Sequence, residues 1–190
     1  MKIKELEKIY SYDKKSNSFI IPVQLEDYLD AYSDWDFSPF INRDLDDNLI
    51  EYLNECSEEI PLKYGLIINF YILNIKQNKI REDRSILGMR NYFLYQLRRL
   101  KNQQLSIIKD MITYFIIGII LLIFSYNING LFSNSIVLTI LAEGFSIGGW
   151  VMFWEMFESW FFRRNSVRKS IKQYDRFENA KITYSYKKEL

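Results

Sequence analysis

Histidine is absent from the 190 residues and cysteine occurs once. The first absence removes the commonest general base and the commonest metal ligand. The second excludes an intramolecular disulfide and a cysteine-based zinc site, and it suits a reducing compartment. Cys56 falls on a helical apolar stripe, where a small buried side chain is expected rather than a nucleophile. No serine-nucleophile elbow, P-loop or glycine-rich phosphate loop occurs, so only carboxylate- or lysine-based chemistry is left. The chain is therefore not expected to be an enzyme, and no cofactor or metal is expected. Alanine occurs 3 times against 27 isoleucines. That skew, with abundant lysine, asparagine and tyrosine, points to an AT-rich coding genome and lowers the information carried by single Ile, Asn and Lys residues. The first ten residues lack the apolar run of a cleavable signal peptide, so the N-terminal half is expected to stay in the cytosol.

The net charge of +1 conceals segregation. Residues 1–60 hold 6 Lys/Arg against 15 Asp/Glu, and residues 61–110 hold 10 against 3. Residues 111–162 hold no base and three acids, and residues 163–190 hold 9 bases against 3 acids. Basic blocks on both sides of an apolar region without bases are the pattern of juxtamembrane anchoring on anionic headgroups. Nucleic-acid binding is not expected, because no aromatic–basic interleaving or known motif accompanies these charges.

Phe19, Ile21, Val23 and Leu25 alternate with Ile20, Pro22 and Gln24, which predicts a strand; Pro22 cannot donate to a ladder and favours an edge position. Residues 26–43 carry acids, Trp35 and Pro39 and predict an irregular connection. Asp44 is placed to cap a helix whose apolar stripe is Leu45, Leu49, Leu53, Cys56 and Ile60 and which Pro61 stops. Its opposite face, with Asp46, Asp47, Glu51, Glu55, Glu58 and Glu59, fits a solvated acidic surface, although paired carboxylates can also hold a cation. Residues 65–73 are apolar on both faces and predict a central strand. After a turn around 74–78, Ile86, Met89, Phe93, Leu97 and Leu100 recur at helical spacing, and no Pro or Gly interrupts residues 89–117. One helix is expected from about 83 to 126, roughly 65 Å long at about 1.5 Å per residue. Val167, Ile171 and Tyr174 form a later helical stripe. Ile182, Tyr184 and Tyr186 alternate with polar residues and predict a strand that returns to pair with 65–73 or 19–25.

Two apolar runs, at about 111–128 and 136–162, have the composition of membrane spans. The first is short at sixteen strongly apolar residues, about 24 Å against a hydrocarbon core of about 30 Å, and must borrow residues from 107–110 or 127–128. A buried soluble hairpin is the competing interpretation, but the run I-I-G-I-I-L-L-I-F has no polar face. Arg98, Arg99, Lys101 and Lys109 precede the first span, Arg163, Arg164, Arg168 and Lys169 follow the second, and the turn between carries no charge. The positive-inside rule then places both termini in the cytoplasm. Trp160, Phe161 and Phe162 would mark the inner interface and Tyr126 the outer one.

The expected architecture is thus an α+β cytosolic domain, a small sheet with helices, joined to a two-helix transmembrane hairpin. Its expected segments are 1–82 for the α+β domain, 83–110 for the helix leading into the membrane, 111–162 for the hairpin, and 163–190 for a basic helix and returning strand.

The second span carries the candidate working surface. At about 100° per residue, Glu143, Glu155 and Glu158 share a sector with Gly144, Ile147, Gly148, Val151 and Trp154, while Phe145, Phe153, Phe157 and Trp160 lie largely outside it. Gly144 and Gly148 form a G-x-x-x-G pair that permits close helix approach, and Gly149 adds a third small residue. The glycines can equally serve packing on the first span near Gly118, with Glu155 and Glu158 reaching the rim to pair with Arg163, Arg164 or Arg99. Glu143 lies about 10 Å deep. It is there either neutral and hydrogen-bonded, to Thr139 or a carbonyl, or facing a polar cavity or an oligomer axis.

The stretch E-G-F-S-I-G-G-W-V-M-F-W-E-M-F-E resembles a family of small bacterial two-span inner-membrane proteins of uncharacterised function, as do the L-D-D-N-L-I-E-Y-L helix at 45–53 and the I-P at 60–61. Glu143, Trp150, Trp154 and Glu158 match its pattern; Glu155 stands where that family carries a basic residue. The resemblance spans about residues 35–186 and implies a bacterial inner-membrane location without implying a reaction. In outline the chain also resembles two-span pore-forming effectors of bacterial defence, a likeness of architecture alone. Two functions are therefore expected to compete. One is a homo-oligomer whose second spans surround a channel or pore with Glu143 rings favouring cations. The other is a non-conducting membrane scaffold that recruits a partner through its α+β domain.

Overall fold

The computed structural model describes residues 3–73, 76–131 and 135–187. Two compact units result, one of Met1–Arg98 with Lys172–Leu190 and the other of Arg99–Ile171. The first holds a four-stranded sheet, β1 (Ser11–Asp13), β2 (Ser18–Leu25), β3 (Gly65–Leu73) and β4 (Lys181–Lys187), in the order β1-β2-β3-β4. β1 and β2 are antiparallel, whereas β2, β3 and β4 run parallel. The helices are α1 (Ile3–Leu6), α2 (Asp47–Glu59), α3 (Lys79–Leu131), α4 (Ile136–Glu158) and α5 (Arg164–Glu178). The fold is α+β, a small mixed sheet with helices and two long apolar helices.

β2 buries Phe19, Ile21, Val23 and Leu25 and leaves Pro22 and Gln24 exposed, so its alternation is that of a strand with one face on the core. It is not an edge strand, contrary to the expectation from Pro22, since β1 and β3 lie on its two sides. β1 reaches no further along it than Ile20, however. At Pro22 the missing N–H therefore deprives β1 of nothing. The β1–β2 hairpin itself has no hydrophobic signal. It turns on Asn17 at φ 53°, and the Asp13 carboxylate accepts from the Ser16 hydroxyl at 2.7 Å and the Lys15 N–H at 3.0 Å. These local bonds, the one from Ser16 first, hold the Asp13 carboxyl below its ordinary range.

β3 is the central strand, buried continuously from Leu66 to Phe70. β4 pairs with it from Ile67↔Lys181 to Leu73↔Lys187, as the alternation predicts. Asn69, buried mid-strand, has its side-chain oxygen satisfied by the Thr183 hydroxyl at 2.8 Å and the Ser185 hydroxyl at 3.1 Å. A buried amide is tolerable only when so paired. β4 thus supplies polar partners as well as backbone.

The cap of α2 is Asp46, not Asp44: its Oδ1 accepts from the N–H groups of Asn48 (2.9 Å) and Leu49 (3.2 Å). Asp44 instead donates its N–H to Asp36 at 2.7 Å within the preceding loop. That loop contains two short 3₁₀ turns, Tyr28–Ala31 and Phe40–Asn42. α2 buries Leu49, Ile50, Leu53 and Cys56. The Arg176 guanidinium serves the end of α2, donating to the carbonyls of Ser57 (2.9 Å), Ile60 (3.1 Å) and Tyr64 (3.2 Å). A cation among the last carbonyls of a helix completes bonds its own turn cannot make. The core these elements enclose includes the fully buried Phe19, Ile68, Phe70, Met89, Phe93 and Phe177.

In the second unit α3 and α4 pack antiparallel. α3 runs through to Leu131, past the expected end of the first span, so the predicted uncharged turn at 127–135 falls partly in helix and partly outside the described residues. α4 passes into α5 through one π-helical turn, Ser159–Arg163. Two helices are long and apolar enough to cross a membrane, and only 17% and 11% of their most apolar stretches is buried.

Candidate functional site

The face of α4 that meets α3 is built from Ala142, Phe145, Gly149, Phe153 and Met156, spaced three and four residues apart. Phe145 lies edge-on to Phe124 (5.3 Å between centroids), and Phe153 edge-on to Phe115 (5.7 Å). The aromatic side chains at 145 and 153 therefore pack on α3 instead of facing outward with Phe157 and Trp160, which are exposed. The Ser125 hydroxyl, buried, donates to the Ala142 carbonyl at 2.7 Å across the pair.

Close approach uses Gly118 and Gly149, not the Gly144–Gly148 pair. A Cβ on Gly149 would lie 2.8 Å from Leu122 Cγ and 3.1 Å from the Gly118 carbonyl oxygen. Gly148 only touches a Leu121 methyl at the edge, and beyond its own helix backbone Gly144 has no heavy atom of the described residues within 4 Å of where a Cβ would stand. Gly118 is the partner on the first span that the packing alternative named, and Gly149 meets it in place of the Gly144–Gly148 pair.

Glu143, Gly144, Ile147, Trp150, Val151 and Trp154 are consequently exposed, on the side of α4 turned away from α3. Glu155 and Glu158 behave differently from Glu143. Arg163 Nε lies 2.8 Å from Glu158, and its terminal nitrogen 3.5 Å from Glu155. The next residue, Arg164, stacks on the Trp160 ring at 4.8 Å. Arg98, Arg99, Lys101 and Arg168 are exposed.

The first unit has two polar sites that no sequence pattern announced. One is a buried network. Glu82 accepts from the hydroxyl of Tyr186 and from Gln77 Nε2 (3.0 Å) and pairs with Lys79 (3.4 Å). The Tyr186 hydroxyl also meets Tyr28 at 2.6 Å, and Tyr184 and Tyr32 converge on Ser85 at 2.7 and 3.2 Å. Burial alone would raise the Glu82 carboxyl, but the donors outweigh it and hold the group below its ordinary 4.5. Burial pushes Tyr32 up to about 12 and raises Tyr184 and Tyr186 further. Such a network needs partners far apart in sequence, so periodicity cannot reveal it.

The other is a cleft of about 430 Å³ lined by Asp36, Arg43, Asp44, Asn91, Tyr92 and Tyr95, among others. Asp36 is tied to its own loop, accepting from Ser38 N–H (2.8 Å) and Asp44 N–H (2.7 Å). Beside it Trp35 and Phe37 are 97% and 98% exposed. Among the described residues no group of three acidic or sulfur side chains is arranged to hold a metal ion.

Compared with protein-family models, characterised proteins and solved structures, the chain matches none.

Proposed function

We propose that this chain is an integral membrane protein, placed in a bacterial inner membrane with the regions before α3's apolar stretch and after α4 in the cytoplasm. It assembles there as a homo-oligomer through the Glu143 face of α4 and forms a channel or pore; no catalytic activity is assigned to it. Its kinship with the small two-span family is part of the same proposal. The apolar stretches of α3 and α4 are mostly exposed, where the core helix of a water-soluble protein would be covered. Basic residues flank them on both sides, and anionic headgroups would neutralise those residues.

The single observation that carries assembly is the exposure of Glu143 on a face that α3 leaves bare. In lipid, an acidic side chain near the centre of a span costs about 2.5–3.5 kcal/mol on insertion scales, and such groups face a partner or a cavity. Gly144, with nothing near it, leaves room for another helix beside that carboxylate. The test is the mass of the detergent-solubilised particle. A ring of several copies, with cation flux in liposomes that falls in Glu143→Gln, is expected. A monomer would overturn the assembly, and unchanged flux in the variant would overturn conduction through it.

Trp35 and Phe37 favour a second use. Two large, almost fully exposed aromatic rings beside Asp34 and Asp36 are the composition of a protein-docking loop. A scaffold that recruits a cytosolic partner would lose it in Trp35→Ala with Phe37→Ala, while the particle mass stays unchanged.

A further inference from the structure

A second cleft, apolar throughout, is walled by Trp160 and Phe161 of the π turn Ser159–Arg163. Met111, Ile112 and Phe115 of α3 and Met156 and Phe157 of α4 complete it, an open groove of about 310 Å³ with no charged side chain in its lining. Arg164 stacks on Trp160, one wall of the cleft, 4.8 Å from the ring centre. Arg163 is already engaged by Glu155 and Glu158. Arg164 Nε, by contrast, is buried and has no hydrogen-bond partner among the described residues. A buried donor left unbonded is costly, and a guanidinium fork matches a phosphate group.

We infer that this cleft holds an acyl chain of an anionic phospholipid whose phosphate is bound by Arg164, a site that rests on the membrane placement proposed above. Apolar walls suit the chain, and the cation stacked on the Trp160 wall suits the phosphate. A choline headgroup would bring a second positive charge toward Arg164, whereas glycerol would not, so phosphatidylglycerol is favoured over phosphatidylcholine.

The test uses the full chain in mixed detergent–lipid micelles, with Trp35, Trp150 and Trp154 replaced by Phe so that Trp160 alone fluoresces. Lipids brominated on the acyl chain quench a tryptophan they touch. Brominated phosphatidylglycerol is expected to quench Trp160 at about fivefold lower lipid fraction than brominated phosphatidylcholine, the effect of about one cation. Arg164→Gln should abolish that preference, and Arg168→Gln, which removes the same charge from an exposed position, should leave it intact. Equal quenching by both lipids would overturn the site, as would equal losses in the two arginine variants, which would mean surface potential alone. A parallel chain with its only tryptophan at Ile120→Trp reports insertion. Quenching there but not at Trp160 would mean that protein, such as a second copy, fills the cleft, leaving membrane placement standing and the lipid site refuted. Quenching at neither position would refute both.

Discussion

The two units spend their apolar side chains in opposite ways. In the first, Phe19, Phe70, Phe93, Phe177, Ile21, Ile68 and Ile72 are sealed from solvent. In the second, Ile112, Phe115, Ile116, Ile120, Ile123, Ile140, Ile147, Trp150 and Trp154 are exposed, and the buried positions include Gly118, Ser125, Ala142, Gly149 and Ser159. Where water is the solvent, the large side chains go inside because burial removes their surface from it. Where hydrocarbon is the solvent that drive vanishes, and helices meet through small residues and hydrogen bonds between them. Gly118–Gly149 and Ser125–Ala142 are contacts through small residues and a hydrogen bond, as the proposed membrane placement would require.

Hydrogen exchange resolved by segment can separate the two regimes. Phe93→Ala, which removes a fully buried ring packed on Phe177 (5.4 Å between centroids), is expected to cost about 3–5 kcal/mol. It should speed exchange in β2, β3 and β4 while the amides of α4 stay slow; equal loss in α4 would mean that the units do not unfold separately. Arg176→Met strips the charged donor from three carbonyls beyond and at the end of α2 and should cost about 1.5–3 kcal/mol, with exchange rising over 57–64. Gly149→Leu should give the reverse pattern, about 1–3 kcal/mol of overpacking and faster exchange in α4 with the sheet unaffected.

Glu82 sharpens the comparison through pH. Its folded carboxyl titrates below its ordinary 4.5, so as pH falls below that value the unfolded chain takes up the proton first. Its contribution to stability is present above that range and is lost as pH drops through the folded value. Glu82→Gln should therefore flatten the acid limb of the first unit's stability curve, read as melting temperature against pH. The smallest effect is expected for Glu155→Gln. Its partner Arg163 is 3.5 Å away and both side chains are more than two-fifths exposed, so less than about 1 kcal/mol should change in thermal melting.

The sheet was legible wherever alternation or a continuous apolar run spoke for it, as in β2, β3 and β4, and the stripe of α2 gave its buried face including Cys56. What stayed hidden was decided by local polar bonding or by distance in sequence. Asp46 rather than Asp44 caps α2 because only its side chain reaches the free N–H groups, a choice of two residues that composition cannot make. β1 is three residues held by a turn on Asn17. The tyrosines around Glu82 come from two stretches of chain far from it in sequence, 28–32 and 184–186. Along α4, Glu143, Gly144, Trp150 and Trp154 lie on the side α3 does not use, whereas Gly149 lies on the side it does. Helical spacing groups residues by face without saying which face has a neighbour.

β4 also fixes an order of events. The ribosome must finish both long apolar helices before Lys181–Lys187 exist, and until then β3 has an open flank, Asn69 lacks its hydroxyl partners, and Glu82 lacks the tyrosine it accepts from. The nascent first unit waits half-zipped while the second is made, with a sticky strand edge on offer to any other extended segment. Closure of the sheet thus comes only after both long helices are made, and it certifies that everything between β3 and β4 has already been delivered.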